Sequence, residues 1–206
     1  RTNLSFQVTN SITLSFRYAR IPSVSGDHGG YYWDRSFDFH YLFNEQTRYF
    51  PSIAIGLRDF IGTGLYSGEY FVATKNITKN IKATGGLGWG RLSGNNNLSN
   101  IFGLGNDRSS ISAGLGGTLN TNQFFSGTNS PFFSLSYKTS PKLEILAELS
   151  SDSYSHEVSS LSGFSRKSDL NFAIKYKITP DFSIIGKFMH GNAIGVSGIL
   201  AVNPRN

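Results

Sequence analysis

The dominant period along the chain is two. Residues 11–20 put Ile12, Leu14, Phe16 and Tyr18 on one side and Thr13, Ser15, Arg17 and Ala19 on the other. Residues 36–43 alternate Phe37, Phe39, Tyr41 and Phe43 against Ser36, Asp38, His40 and Leu42. Residues 142–149 set Leu143, Ile145, Ala147 and Leu149 against Lys142, Glu144, Leu146 and Glu148. Residues 170–178 oppose Leu170, Phe172, Ile174, Tyr176 and Ile178 to Asn171, Ala173, Lys175 and Lys177. Such alternation predicts strands with one apolar and one polar face. Weaker alternation adds strands near 3–9, 51–59, 66–75, 80–92, 131–138, 182–190 and 192–202. No window carries a 3.6-residue period, so the chain reads as all-β, with about 11–12 strands and no helix longer than two turns.

The connections alternate in length. They are short at 9–11, long at 21–35, short at 44–50, medium at 60–65 and short at 76–79. A very long one at 93–130 follows, then a short one at 138–142, a long one at 150–167 and a short one at 178–181. Short turns at one end and long loops at the other, joined by strands of about ten residues, are the pattern of a transmembrane antiparallel up-and-down β-barrel with periplasmic turns and external loops. On this reading 1–206 is one barrel domain of a bacterial outer membrane. The Gly-, Asn- and Ser-rich stretch 93–130 is an external loop folded into or over the lumen, with Phe102, Phe124 and Phe125 as anchors. Aromatic clusters at Tyr31, Tyr32, Trp33, Tyr49, Phe50, Tyr66 and Tyr70 suit a girdle at the headgroup level. Glycines inside strands, among them Gly85, Gly86, Gly88, Gly90, Gly186, Gly195 and Gly198, suit bends and open inward positions. The first and last strands run in the same direction, so closure needs a further strand, a second β-rich segment or a partner chain.

Composition fits this picture. Charged residues are 16% and aromatics 14%, against roughly 25% charged in soluble domains. Mean hydropathy is only −0.21, and no apolar run approaches the roughly 18 residues of a spanning helix. The chain has no cysteine, which excludes disulfides, thiolate catalysis and Cys-ligated metals. It begins at Arg1 without a signal peptide, as a processed, trimmed or partial product would. The net charge of +6 favours anionic partners: membrane lipid, lipopolysaccharide or an acidic glycan. Nucleic acid is not expected at an outer membrane.

Candidate chemistry is sparse. Gly86-Leu87-Gly88-Trp89-Gly90 lacks the following helix or Gly-Lys-Ser/Thr of a nucleotide loop. The histidines His28, His40, His156 and His190 show no metal-ligand spacing, so neither metal nor cofactor is expected. Asp152-Ser153-Tyr154-Ser155-His156-Glu157 holds the residue types of a hydrolytic triad. Neighbours in one loop rarely reach triad geometry, however, and the chain reads as a non-enzyme. Strand parity points Arg17, Asp38, His40, Arg58, Lys82, Glu144, Glu148, Lys175, Lys177 and Lys187 inward as lumen-lining residues. An Arg or Lys facing lipid at mid-depth would cost roughly 2–4 kcal/mol. These charges either line a water-filled lumen that favours anions or pair within a plugged one.

The stretch from Tyr49 to Lys75 (YFPSIAIGLRDFIGTGLYSGEYFVATK) resembles the YjbH family of exopolysaccharide-associated outer-membrane proteins. Asp34-Arg35-Ser36-Phe37-Asp38, Gly86–Leu92 and the segment from Gly191 to Arg205 share the likeness, which is most specific over 49–92. The resemblance implies a β-barrel lipoprotein or porin-like protein encoded with polysaccharide synthesis and secretion machinery. Its members are much longer, with a segment before the first strand and a second β-rich portion behind. Together with the barrel reading it points to export or anchoring of an exopolysaccharide. The barrel reading alone would equally suit an anion-preferring diffusion porin, or a structural or adhesin-like subunit.

Overall fold

A computed structural model describes residues 1–22, 31–64, 66–104, 107–108, 121–154, 157–158 and 164–203. Eleven strands form one sheet: β1 (Thr2–Gln7), β2 (Ile12–Pro22), β3 (Tyr31–Asn44), β4 (Ser52–Gly62), β5 (Gly68–Asn76), β6 (Ile81–Trp89), β7 (Asn129–Lys138), β8 (Leu143–Leu149), β9 (Leu170–Lys177), β10 (Phe182–Met189) and β11 (Ala193–Leu200). Their spatial order is their chain order. Each pairs antiparallel with the next, so the sheet is an uninterrupted up-and-down meander. Among the described residues no helix is long and apolar enough to cross a membrane.

One turn design recurs along one end of the sheet. Thr9, Thr78, Ser140 and Thr179 each accept, through the side-chain oxygen, the backbone N–H three residues on, at Ile12, Ile81, Leu143 and Phe182 (3.0–3.1 Å). The same four residues at the strand starts return a carbonyl to the N–H groups of Val8, Ile77, Thr139 and Ile178. A hydroxyl that satisfies turn N–H groups holds a four-residue connection without glycine.

The register sorts the side chains into two faces. Leu4, Leu14, Phe37, Phe39, Ile145, Phe172, Ile174 and Ile194 lie on one, with Leu143 and Ile12. This apolar face is largely uncovered; Phe37, Phe172 and Ile174 are 45%, 47% and 54% exposed. On the opposite face the pattern inverts: Arg17, Asp34, Ser36 and Asp59 are buried. Among the described residues the buried hydrophobics are only Ala19, Ala54 and Trp89. No second sheet covers the apolar side, so a sandwich is excluded for the described residues.

As expected from the direction of the first and last strands, these strands do not close a barrel by themselves. β1 and β11 are the two edges and do not pair with each other. The reason is backbone direction: in an eleven-strand meander the first and last strands run the same way, and antiparallel closure between them is impossible. Two expected boundaries move. β2 and β3 extend to Pro22 and from Tyr31, shortening the expected 21–35 loop, because Asp34 pairs across the ladder with Ala19 and bonds Arg17. The expected strand 80–92 ends at Trp89, where Gly90 takes φ +60 and starts a short 3-10 turn, Gly90–Leu92. Pro204 and Arg205, which end the segment that carries the family likeness, lie with Asn206 outside the described residues.

Candidate functional site

The polar face is the candidate site. The register carries all ten sequence-derived residues onto it: Arg17, Asp38 and His40 on β2 and β3, Arg58 on β4, Lys82 on β6, Glu144 and Glu148 on β8, Lys175 and Lys177 on β9, and Lys187 on β10. They do not form one cluster. Toward the short turns Glu144 stands directly opposite Lys175 and Lys138, without an ion pair to either. Among the described residues Arg58, Lys82, Lys175, Lys177 and Lys187 make no ion pair within 4.0 Å. These five positions on the polar face therefore carry cationic groups with no carboxylate within ion-pair distance.

At the long-loop end the charges are instead locked together. Arg17 bonds Asp34 through Nε (3.4 Å), lies 3.9 Å from Asp59, and stacks its guanidinium 4.8 Å from the Tyr66 ring centroid. Thr63 Oγ1 donates to Asp34 (2.5 Å), and the backbone N–H of Tyr66 donates to Asp59 (2.9 Å). Asp59 sits at φ +51 beside a bulge in the β3–β4 ladder and donates its own N–H to Asp38 (2.8 Å). The Tyr66 ring also meets Arg91, whose guanidinium lies 5.1 Å from its centroid. Arg91 bonds Asp152 through Nε and both Glu157 oxygens through Nη2, all at 2.7 Å, and packs 5.1 Å from Tyr154. Burial alone would lower the Arg91 pKa; hydrogen bonds and charge from Glu157 and Asp152 outweigh it and raise it. Burial, with the Asp152 charge, pushes the Tyr154 hydroxyl up to about 12.

His190, in the β10–β11 turn, packs on Tyr154 (4.1 Å between centroids) and Phe164 (5.7 Å). Desolvation holds its imidazole below the ordinary histidine range. The triad-like run 152–157 thus serves as a structural clamp through Asp152, Tyr154 and Glu157. Ser155, His156 and His28 lie outside the described residues. No group of three His, Asp or Glu that could hold a metal occurs among the described residues.

Two aromatic expectations change. Tyr66 and Tyr70 belong to no girdle. Tyr66 meets two guanidiniums and Tyr70 lies on the polar face, its hydroxyl 3.0 Å from His40 Nδ1. Trp33 does stand half-exposed on the apolar face, stacked on Tyr18 at 5.1 Å, and Tyr49 and Phe50 project at the turn end. The side chains of Tyr31 and Tyr32 lie outside the described residues. In the stretch 93–130, Phe102 and Phe125 do act as anchors. They pack on Phe71 and Trp89, whose register places them on the apolar face, not over the polar one. Phe124 is half-buried beside them in sequence. Glu69, also directed to that face, is covered by a bidentate bond from Arg108 (2.6 and 2.8 Å) and the N–H of Phe125 (3.0 Å). Sequence reasoning missed this pair; a carboxylate in the apolar parity of β5 was the available signal.

Two outcomes follow for the clamp. Arg91→Ala leaves Asp152 and Glu157 facing each other with little solvent, and is expected to cost roughly 3 kcal/mol of unfolding free energy in detergent; a change below 1 kcal/mol would show the pair to be incidental. For His190 the folded pKa is depressed, so the unfolded chain takes up the proton first. Stability is then full above about pH 6.5 and is lost as pH falls through the folded value. His190→Phe should flatten that acid limb in a series of unfolding midpoints.

A family model described as "Exopolysaccharide biosynthesis protein YbjH" (YjbH) matches residues 1–206. The chain is 28% identical over 190 residues to the "Uncharacterized lipoprotein YjbH" of Escherichia coli (strain K12), a match covering 91% of this chain and 27% of that protein. The chain thus spans about a quarter of that relative's length. No solved structure matches. With the family model covering every residue of an eleven-strand meander, the chain belongs to the YjbH family of exopolysaccharide biosynthesis proteins.

Proposed function

We propose that this sheet is part of the wall of an outer-membrane β-barrel that assists export or anchoring of an exopolysaccharide, with its basic polar face toward an anionic glycan. The observation that carries the reading is the inversion of burial: large apolar side chains stand exposed across one face while Arg17, Asp34 and Asp59 are buried on the other. Water on the apolar face would be costly at roughly 25 cal/mol per Å², and lipid removes that cost. The family's exopolysaccharide description supplies the polymer, and the lipoprotein name of the Escherichia coli relative supports a membrane setting. Closure then requires an odd number of additional strands from another segment or chain, because unpaired edges in hydrocarbon cost several kcal/mol per group.

A cysteine scan tests the membrane half, since the chain supplies no cysteine of its own. In intact outer membranes Lys175→Cys and Lys187→Cys should react with a small water-soluble maleimide, and Phe172→Cys and Ile174→Cys should be protected. Equal labelling of all four would sink the membrane placement. For the polymer half, deletion should abolish surface exopolysaccharide while leaving general outer-membrane permeability unchanged; an unaltered polymer yield would defeat the export reading.

A further inference from the structure

The middle of the polar face holds a pocket of about 180 Å³ lined by Thr13, Ser15, Asp38, His40, Arg58 and Tyr70. Its floor is unusual for a charged face, because the Tyr70 ring covers the backbone of the neighbouring strand. Tyr70 covers Gly56, its register partner on β4, so closely that a Cβ there would meet the ring carbon Cζ at 2.1 Å. Phe132 covers Gly86, its partner on β6, where a Cβ would meet Cζ at 2.4 Å and the Phe71 carbonyl at 2.4 Å. Only glycine at both positions leaves room for these rings. His40 lies tilted beside Tyr70, 6.1 Å between centroids, and Phe132 backs Tyr70 edge-on at 6.5 Å and 81°.

Polar groups rim the Tyr70 ring. The Tyr70 hydroxyl shares a hydrogen bond with His40 Nδ1 at 3.0 Å. One Asp38 oxygen takes the Asp59 N–H, leaving the other available as an acceptor. Arg58 has no ion-pair partner among the described residues, although it sits half-buried. A half-buried guanidinium with no carboxylate within ion-pair distance is open to a further anion.

We infer that this pocket is a saccharide subsite that stacks a sugar ring on Tyr70 and binds the ring's anionic substituent through Arg58. A pyranose offers an apolar C–H face, which packs on an aromatic plane, and an edge of hydroxyls, which needs acceptors and donors such as Asp38, His40, Thr13 and Ser15. The ligand class is an acidic hexose oligomer carrying a carboxylate. The assignment rests on the proposal that the polar face meets the glycan, and adds the residues and chemistry of recognition.

The test uses the full-length protein folded in detergent micelles, with tri-galacturonate as probe and maltotriose as the neutral control. Binding is read by saturation transfer to the sugar ring protons and by titration. Tri-galacturonate should bind about tenfold tighter than maltotriose, since one charge-assisted bond is worth about that much. Arg58→Gln should erase the difference and leave maltotriose binding unchanged. Tyr70→Ala should weaken both sugars about tenfold, while Tyr70→Phe, which keeps the ring, should stay within about twofold. If Tyr70→Ala does not fold, Tyr70→Leu takes its place. Absence of binding to the wild-type protein, or binding that Arg58→Gln and the ring variants leave unchanged, overturns the subsite. Loss of exopolysaccharide on deletion without oligosaccharide binding would remove the subsite alone; binding without that loss would remove the export reading alone.

Discussion

Successive side chains of a strand point to opposite sides, and that single constraint organises everything else in this molecule. With period-two sequences on the long strands, the sheet can bury either its apolar rows or its polar rows, but not both. The polar rows are the ones enclosed. Register therefore matters more than propensity: a one-residue slip in β9 would turn Lys175 out among Phe37-like side chains and bring Phe172 and Ile174 among the charges. The repeated Thr and Ser turns resist that slip, because each ties the first residue of the next strand to a fixed place in the connection.

Enclosing charge has its own demands, and the two ends of the polar face meet them differently. Near the long loops, Arg17, Tyr66 and Arg91 form a column in which each guanidinium has an aromatic plane on one side and carboxylates on another. Arg17 Nη1 and Nη2 have no hydrogen-bond partner, so the Tyr66 ring and the 3.9 Å approach of Asp59 are what offset its desolvation. This column ties β2, β6 and the 150–169 connection together and leaves little room for a ligand. Nearer the turns the lysines are unpaired and the face is open to solutes.

Much of the architecture was legible in the sequence because it is local. Alternation in 11–20, 36–43, 142–149 and 170–178, and turn chemistry between them, suffices for the strands, their order and the sides of the ten charged residues. What was not legible depends on which strands lie side by side and in which register. Nothing local tells that Tyr70 covers Gly56 from the neighbouring strand, or that Arg91 meets Asp152 across the loop end. The same limit misdirected the aromatic readings. Phe102 and Phe125 were legible as anchors, but their docking side depends on Trp89 and Phe71 pointing to the apolar face. Asp59 at positive φ, beside the irregularity in the β3–β4 ladder, has no pattern to announce it.

The hairpin is the repeating unit of this sheet, and arithmetic on it has an evolutionary consequence. Duplicating or losing a hairpin changes the strand number by two and leaves every remaining strand's direction intact, so the sheet can widen or narrow while its odd parity is conserved. Lineages built on this meander can thus vary its width by pairs of strands, whereas changing its parity demands a different kind of event, the gain or loss of a single strand.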